Sequence, residues 1–163
     1  IGYNQVFNLP FTIIRPSALY GERCVSRRVG QAFIENALVG EDLTVNGDGT
    51  EGLDFTYIND LVQGIILSIT KSDSINQIFN ITFGAARSIN QLAEIVMEKF
   101  SEIKLHHKTR DGLMPERGTL SIAKAQKLLG YNPQHPVEKG FVQYINWYKN
   151  FAENNPHLFK KKS

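Results

Sequence analysis

Hydrophobic positions along the 163-residue chain alternate between two rhythms, one suited to strands and one to helices. Phe11-Thr12-Ile13-Ile14 is a β-rich run after Asn8-Leu9-Pro10, and it stops at Arg15-Pro16, where the proline lacks a ladder N–H. After Ser26, residues Val29, Ala32, Phe33 and Ala37 fall at helical spacing, and Gly40 is placed to end that helix. Leu43-Thr44-Val45 predicts a short strand and residues 54–58 another. Leu61, Val62, Ile65, Ile66 and Ile69 then form one apolar stripe on a helix that Asn59 or Asp60 can cap. Residues 77–82 read as a strand ending before Gly84. The clearest amphipathic helix carries Ile89, Leu92, Ala93, Val96, Met97 and Phe100, with Ser88 as its candidate cap. A strand over 103–107 and closing helices over 121–129 and 137–151 complete the pattern, the helices being separated by Gly130-Tyr131-Asn132-Pro133. Alternating strands and helices without repeats or a low-complexity linker predict an α/β fold.

Composition narrows the function classes. With 42% hydrophobic residues the chain has the make-up of one globular domain. A net charge of +2 gives no electrostatic case for a nucleic-acid partner, and the one local excess, Lys160-Lys161-Lys162, reads as a solvated tail. The single cysteine, Cys24, excludes an intrachain disulfide and fits a reducing, cytoplasmic compartment. No apolar run reaches membrane-spanning length and no signal peptide opens the chain, so no membrane partner is expected. The first residue is Ile and not Met, which suggests an excerpt or processed piece of something longer.

Gly47-Asp48-Gly49-Thr50-Glu51-Gly52 matches the G-x-G-x-x-G spacing of loops that hold a dinucleotide pyrophosphate. Such a loop works because its glycines bring the backbone close to phosphate at a helix N-terminus. Here Leu-Asp-Phe-Thr-Tyr-Ile follows, which reads as a strand, and Asp48 and Glu51 would face the phosphate. Residues 46–52 are therefore read as a turn between two strands, with glycine supplying positive φ.

Five blocks in order carry a resemblance: Arg15-Pro16-Ser17-Ala18-Leu19-Tyr20-Gly21; Leu43 to Gly49 (LTVNGDG); Asp54 to Asp60 (DFTYIND); Phe79-Asn80-Ile81; and Ser121 to Ala125 (SIAKA) with Leu128 to Pro133 (LLGYNP). Together they resemble the extended short-chain dehydrogenase/reductases, in the NAD-dependent epimerase/dehydratase branch that acts on nucleotide sugars. That resemblance implies an enzyme in which NAD transiently oxidises a sugar carbon while a Tyr-x-x-x-Lys pair moves the proton. None of the six tyrosines has lysine four residues on; the residues found there are Phe7, Cys24, Leu61, His135, Tyr148 and Ala152. The resemblance makes residues 1–8 the tail of the helix that bears the pair, and the chain the C-terminal half of the enzyme, inactive alone. Residues 1–25 and 54–84 would complete a Rossmann-like domain, 26–53 and 85–155 would form the smaller substrate-binding lobe, and 156–163 a tail.

By the same resemblance the cofactor is NAD, with NADP as the alternative, and Pro16 and Ser17 lie in the loop beside the nicotinamide. Ala18 falls where many members place a substrate-contacting Asn, and Leu43, Thr44 and Val45 match the segment lining the nucleobase pocket. Many members carry Arg immediately before Asp-Phe, where this chain has Leu53. Leucine cannot pair with phosphate, so Arg28, with Arg27, and Arg117 are the candidate diphosphate clamps, because arginine offers paired, planar, permanently charged donors. The expected partner is a nucleotide sugar. A homodimer in the complete enzyme is implied through helices outside this chain. His106 and His107 are adjacent on a strand and point to opposite faces, which argues against one shared metal. Two other readings stay open: an extended reductase on a non-nucleotide substrate, and a non-catalytic binding module.

Overall fold

A computed structural model describes residues 1–24, 26–110, 112 and 117–159. Short strands pair mostly in parallel, as the alternation of strands and helices predicts. Strand β1 (Thr12–Arg15) lies parallel to β6 (Gln77–Asn80), with Thr12 opposite Gln77 and Arg15 opposite Asn80. Likewise β2 (Leu19–Tyr20) is parallel to β5 (Thr56–Tyr57), and β3 (Leu43–Asn46) to β8 (Leu105–Lys108). Only β4 (Gly52–Leu53) runs antiparallel to its partner, β7 (Arg87–Ser88). The strand expected over 54–58 is shortened to Thr56–Tyr57, with Ile58 already in α3; the Phe55 N–H bonds back to the Leu53 carbonyl at 3.0 Å in the bend between β4 and β5.

Six α-helices fill the connections: α1 (Gly2–Phe7), α2 (Val29–Leu38), α3 (Ile58–Thr70), α4 (Ile89–Lys99), α5 (Ala123–Leu129) and α6 (Val137–Asn154). Ser88 caps α4 in a full capping box: its hydroxyl accepts from the Gln91 N–H, and the Gln91 side chain accepts from the Ser88 N–H. Gly130, in the left-handed region at φ 71°, ends α5.

Helix α3 departs from its sequence reading twice. Its cap position is Tyr57, without a side-chain cap, and Asp60 instead accepts from the Gln134 and His135 backbone N–H groups at 2.9 and 3.0 Å. A carboxylate needed to pin a distant loop is not free for its own helix. The apolar stripe also faces outward beyond Leu61: Val62, Ile65, Ile66 and Ile69 are exposed. The packed face is Asp60, Leu61, Gly64 and Ser68, because small residues let the helix backbone approach Ile81. A Cβ on Gly64 would stand 2.2 Å from Ile81 Cγ2.

Two apolar clusters hold these layers. The larger joins α2, α4 and α6 through Phe33, Ile34, Leu92, Val96, Phe141 and Ile145, with Leu43 and Val45 of β3. The smaller joins Leu61, Phe79 and Ile81 to Ala125, Leu129 and Tyr131. Residues 123–131, grouped from sequence with the lobe at 85–155, thus pack on the β1–β6 side, where the Tyr131 hydroxyl donates to the Thr82 carbonyl at 3.0 Å.

Candidate functional site

Around the larger cluster, the N-terminus of α2, the end of β3, β4 and the middle of α6 enclose a cavity of about 310 Å³. Its walls are largely apolar, with Val29, Val45, Leu53, Phe55, Ile89 and Phe141. That volume and lining fall within the range of small-molecule sites. Chain geometry places them together. Ala18, at φ 35°, turns the chain from β1 into β2 and brings Tyr20 to the cavity floor. An alanine in that backbone region is strained, and strain of this kind gathers at ligand sites.

Cations and one carboxylate stand at the rim. Arg28 occupies the cap position of α2, in extended conformation, and its Nε lies 3.3 Å from Ser26 Oγ. Arg117 lines the same cavity, with its Nε 3.9 Å from Glu51 Oε1. Two arginines from segments nearly ninety residues apart are thus brought to one opening. Arg27, read from sequence as a helper of Arg28, is not there: its Nε pairs with Glu35 Oε2 at 2.9 Å, and it lines a neighbouring groove. The reason is local, since its left-handed backbone, at φ 35°, separates it from Arg28.

Other sequence candidates divide in the same way. Ala18, Thr44 and Val45 line the cavity. Leu43 does not; it is fully buried within the core, on the same face of β3 as Val45 but at the start of the strand, whereas Thr44, Val45 and Asn46 at its carboxyl end reach the cavity. Pro16 and Ser17 follow the carboxyl end of β1 and lie outside the cavity lining. His106 meets Asp42 at 2.7 Å while His107 meets Asn90 at 3.1 Å, so the two rings have separate partners. Among the described residues no cluster of three or more His, Cys, Asp or Glu could hold a metal ion.

Sequence reasoning missed the polar part of the lining. Tyr20, Gln31 and Tyr144 all border the cavity, and the two hydroxyls and Gln31 Oε1 are buried without a hydrogen-bond partner. Burial, with the nearby Asp60 carboxylate, pushes the Tyr20 hydroxyl well above the ordinary tyrosine value. Burial, with the adjacent Tyr148 hydroxyl, does the same for Tyr144. Both are hydroxyls near neutral pH, and that of Tyr20 stands against Gly140 of α6, where an added Cβ would meet it. The helical period of α6 marks Tyr144 only as core, since the cavity beside it is formed mostly by residues 18–55, far earlier in the chain.

The glycine-bearing turn is closed upon itself. Gly47 and Gly49 have φ of 88° and 73°, the Thr50 N–H donates to Asp48 Oδ1 at 2.9 Å, and the Asn90 side chain fills the space a Gly49 Cβ would need. It links β3 to β4 and opens no helix, so a pyrophosphate has no cradle there.

Comparison with known proteins agrees with this architecture. UDP-glucuronic acid decarboxylase 1 of Xenopus tropicalis is 32% identical over 141 residues, covering 83% of this chain and 32% of its own length. The UDP-glucuronate 4-epimerase of Thermodesulfobacterium geofontis is 28% identical over 153 residues, covering 93% of this chain and 47% of its own. The crystal structure of UDP-glucuronic acid 4-epimerase from Bacillus cereus, in complex with UDP-glucuronic acid and NAD, superposes with a TM-score of 0.82 at 27% identity, covering 92% of this chain and 48% of its own. This chain thus spans half or less of the length of each. Residues 1–82 match the family model of NAD dependent epimerases and dehydratases. By that match, and by the parallel α/β architecture it shares with these relatives, the chain belongs to the NAD dependent epimerase/dehydratase family.

Proposed function

We propose that this chain supplies the substrate-gripping part of an NAD-dependent nucleotide-sugar epimerase or dehydratase. The observation that carries the reading is Arg28 and Arg117 at the mouth of one apolar cavity. A diphosphate between the two guanidiniums and a flat nucleoside against Val45, Phe55 and Phe141 would use both features. Ala18 and the turn around it would border the sugar. Binding energy from the nucleotide end would then hold the reacting carbon in place.

For NAD the fit within these residues is partial. The 47–52 turn is filled by Asn90 and does not suit the pyrophosphate. Pro16 and Ser17, at the carboxyl end of a parallel strand, suit the edge of a nicotinamide pocket, because open parallel sheets leave ligand crevices there. When bound, the dinucleotide supplies hydride chemistry. The 163 residues contain no Tyr-x-x-x-Lys pair, so we assign them binding and orientation and not proton transfer. A second reading, a non-nucleotide substrate, is favoured by Leu53, which puts an apolar wall where the family resemblance leads one to expect arginine.

Calorimetric titration with UDP-glucose tests the proposal. The wild-type protein should bind it, and the double variant Arg28→Ala/Arg117→Ala should lose about thirtyfold or more in affinity, as expected for two charge-assisted contacts. Undiminished binding by the double variant overturns the clamp, and absence of binding by the wild type favours the non-nucleotide reading. Turnover of a nucleotide sugar by these residues alone with NAD overturns the division of labour.

A further inference from the structure

Three consecutive residues tie the segment behind Arg117 to the body of the fold. The Ser121 carbonyl accepts from Asn80 Nδ2 at 2.9 Å, the Leu120 N–H donates to Asp54 Oδ2 at 3.0 Å, and Thr119 Oγ1 accepts from the Ala86 N–H at 2.8 Å. The first two engage backbone groups of the segment, which almost any residue would offer. Of the three, only Thr119 contributes a side chain, so its attachment depends on which residue stands there. Ala86 in turn is fixed against the cavity wall. It immediately precedes β7, whose Arg87 and Ser88 pair with Leu53 and Gly52 of β4, and the Ile89 N–H reaches the Glu51 carbonyl at 3.2 Å. A Cβ on Gly52 would stand 3.5 Å from that of Ala86. A bond from Ala86 to Thr119 therefore brings Arg117, two residues earlier, alongside Glu51, and both line the cavity. The Arg117–Glu51 pair does not hold the guanidinium by itself. At 3.9 Å, with the arginine side chain half-exposed, it is longer than a hydrogen bond and open to water.

We propose that Thr119 is a positioning residue: its hydroxyl oxygen, held by the Ala86 N–H, sets Arg117 at the cavity mouth and so governs the grip on a diphosphate without touching it. This role rests on the nucleotide reading of the cavity and deepens its clamp. What the site needs from residue 119 is an acceptor oxygen. Serine supplies it, whereas valine keeps the shape and loses the acceptor. The Thr119–Ala86 bond lies at the surface, so water takes its place when it is lost. Overall stability then changes little while the placement of Arg117 is released.

Calorimetric titration with UDP-glucose tests this in the wild type, Thr119→Val, Thr119→Ser, Arg117→Ala and the double variant Thr119→Val/Arg117→Ala. Thr119→Val should weaken binding about three- to tenfold, the size of one hydrogen bond, and Thr119→Ser should stay within about twofold of wild type. In the Arg117→Ala background Thr119→Val should change affinity less than about twofold, because its only route to the ligand is gone. A merely structural role would weaken binding equally with or without Arg117 and would lower the urea midpoint alongside. Equal losses in the two backgrounds, undiminished binding by Thr119→Val, or failure of serine to restore affinity each overturn the role of Thr119 and leave the Arg28 and Arg117 clamp standing. Absence of binding by the wild type overturns the clamp and the positioning role together.

Discussion

Oδ2 of Asp54 accepts a hydrogen bond from the backbone N–H of Leu120 at 3.0 Å, across 66 positions of sequence. The same fully buried carboxylate accepts from the Thr82 hydroxyl at 2.9 Å and from the Gly84 N–H at 3.0 Å. Two segments, one at Thr82 and Gly84 and one at Leu120, therefore converge on this side chain, and the segment held through Leu120 is the one that carries Arg117 to the cavity. Asp54→Asn puts an NH₂ group among donors. It should cost about 2–4 kcal/mol of stability through a lost charged acceptor and a stranded donor, measured by urea denaturation.

Gly64 is fixed by contact and not by backbone conformation. Gly64→Ala drives a methyl group into fully buried Ile81 and should destabilise by about 1–3 kcal/mol. Ile81→Ala alone should cost about 2–5 kcal/mol. The double variant should be more stable than the sum of the two losses implies, because the second change opens the space the first requires. Strict additivity in the denaturation cycle would remove the contact as the cause.

Glu51 lines the cavity beside Arg117, where its carboxylate both competes for the guanidinium and repels an incoming phosphate. Glu51→Gln should therefore strengthen UDP binding about two- to tenfold, with the gain shrinking as salt rises. Calorimetry at two ionic strengths reads both effects. Weaker binding would mean that Glu51 orients Arg117 productively.

Arg87 of β7 pairs with Glu138 of α6 at 2.6 Å. Burial pulls the Glu138 carboxyl up, but its own backbone N–H and Arg87 outweigh this and hold it below the ordinary glutamate value. A carboxyl lowered on folding contributes stability that is fully present above its unfolded pKa and is lost as pH falls through the lower, folded value. Wild type should thus exceed Glu138→Gln in stability at pH 7, and the gap should close on acidification below about pH 4. Urea melts at stepped pH values follow the gap; one that widens in acid reverses the sign.

Local signals were readable wherever the information lies within a few residues. The capping box of Ser88 and Gln91, the glycine stop at Gly130 and the turn between β3 and β4 all follow from neighbouring side chains. The outward orientation of the α3 stripe was not legible, because periodicity reports which positions share a face, and not which face another element covers. Gly64 and Ser68, inconspicuous in sequence, mark the packed side through their small size. At the cavity, Arg28 and Arg117 were legible as permanent cations. Gln31 was not, since its amide is oriented by Glu35, which Tyr148 holds from far downstream.

The β1–β6 pair, two parallel strands of four residues each, has no further strand on either outer side among the described residues. Backbone groups along both margins therefore have no strand partner among the described residues, and the isoleucines of α3 are exposed as well. Open margins of this sort invite any extended peptide that can complete the ladder.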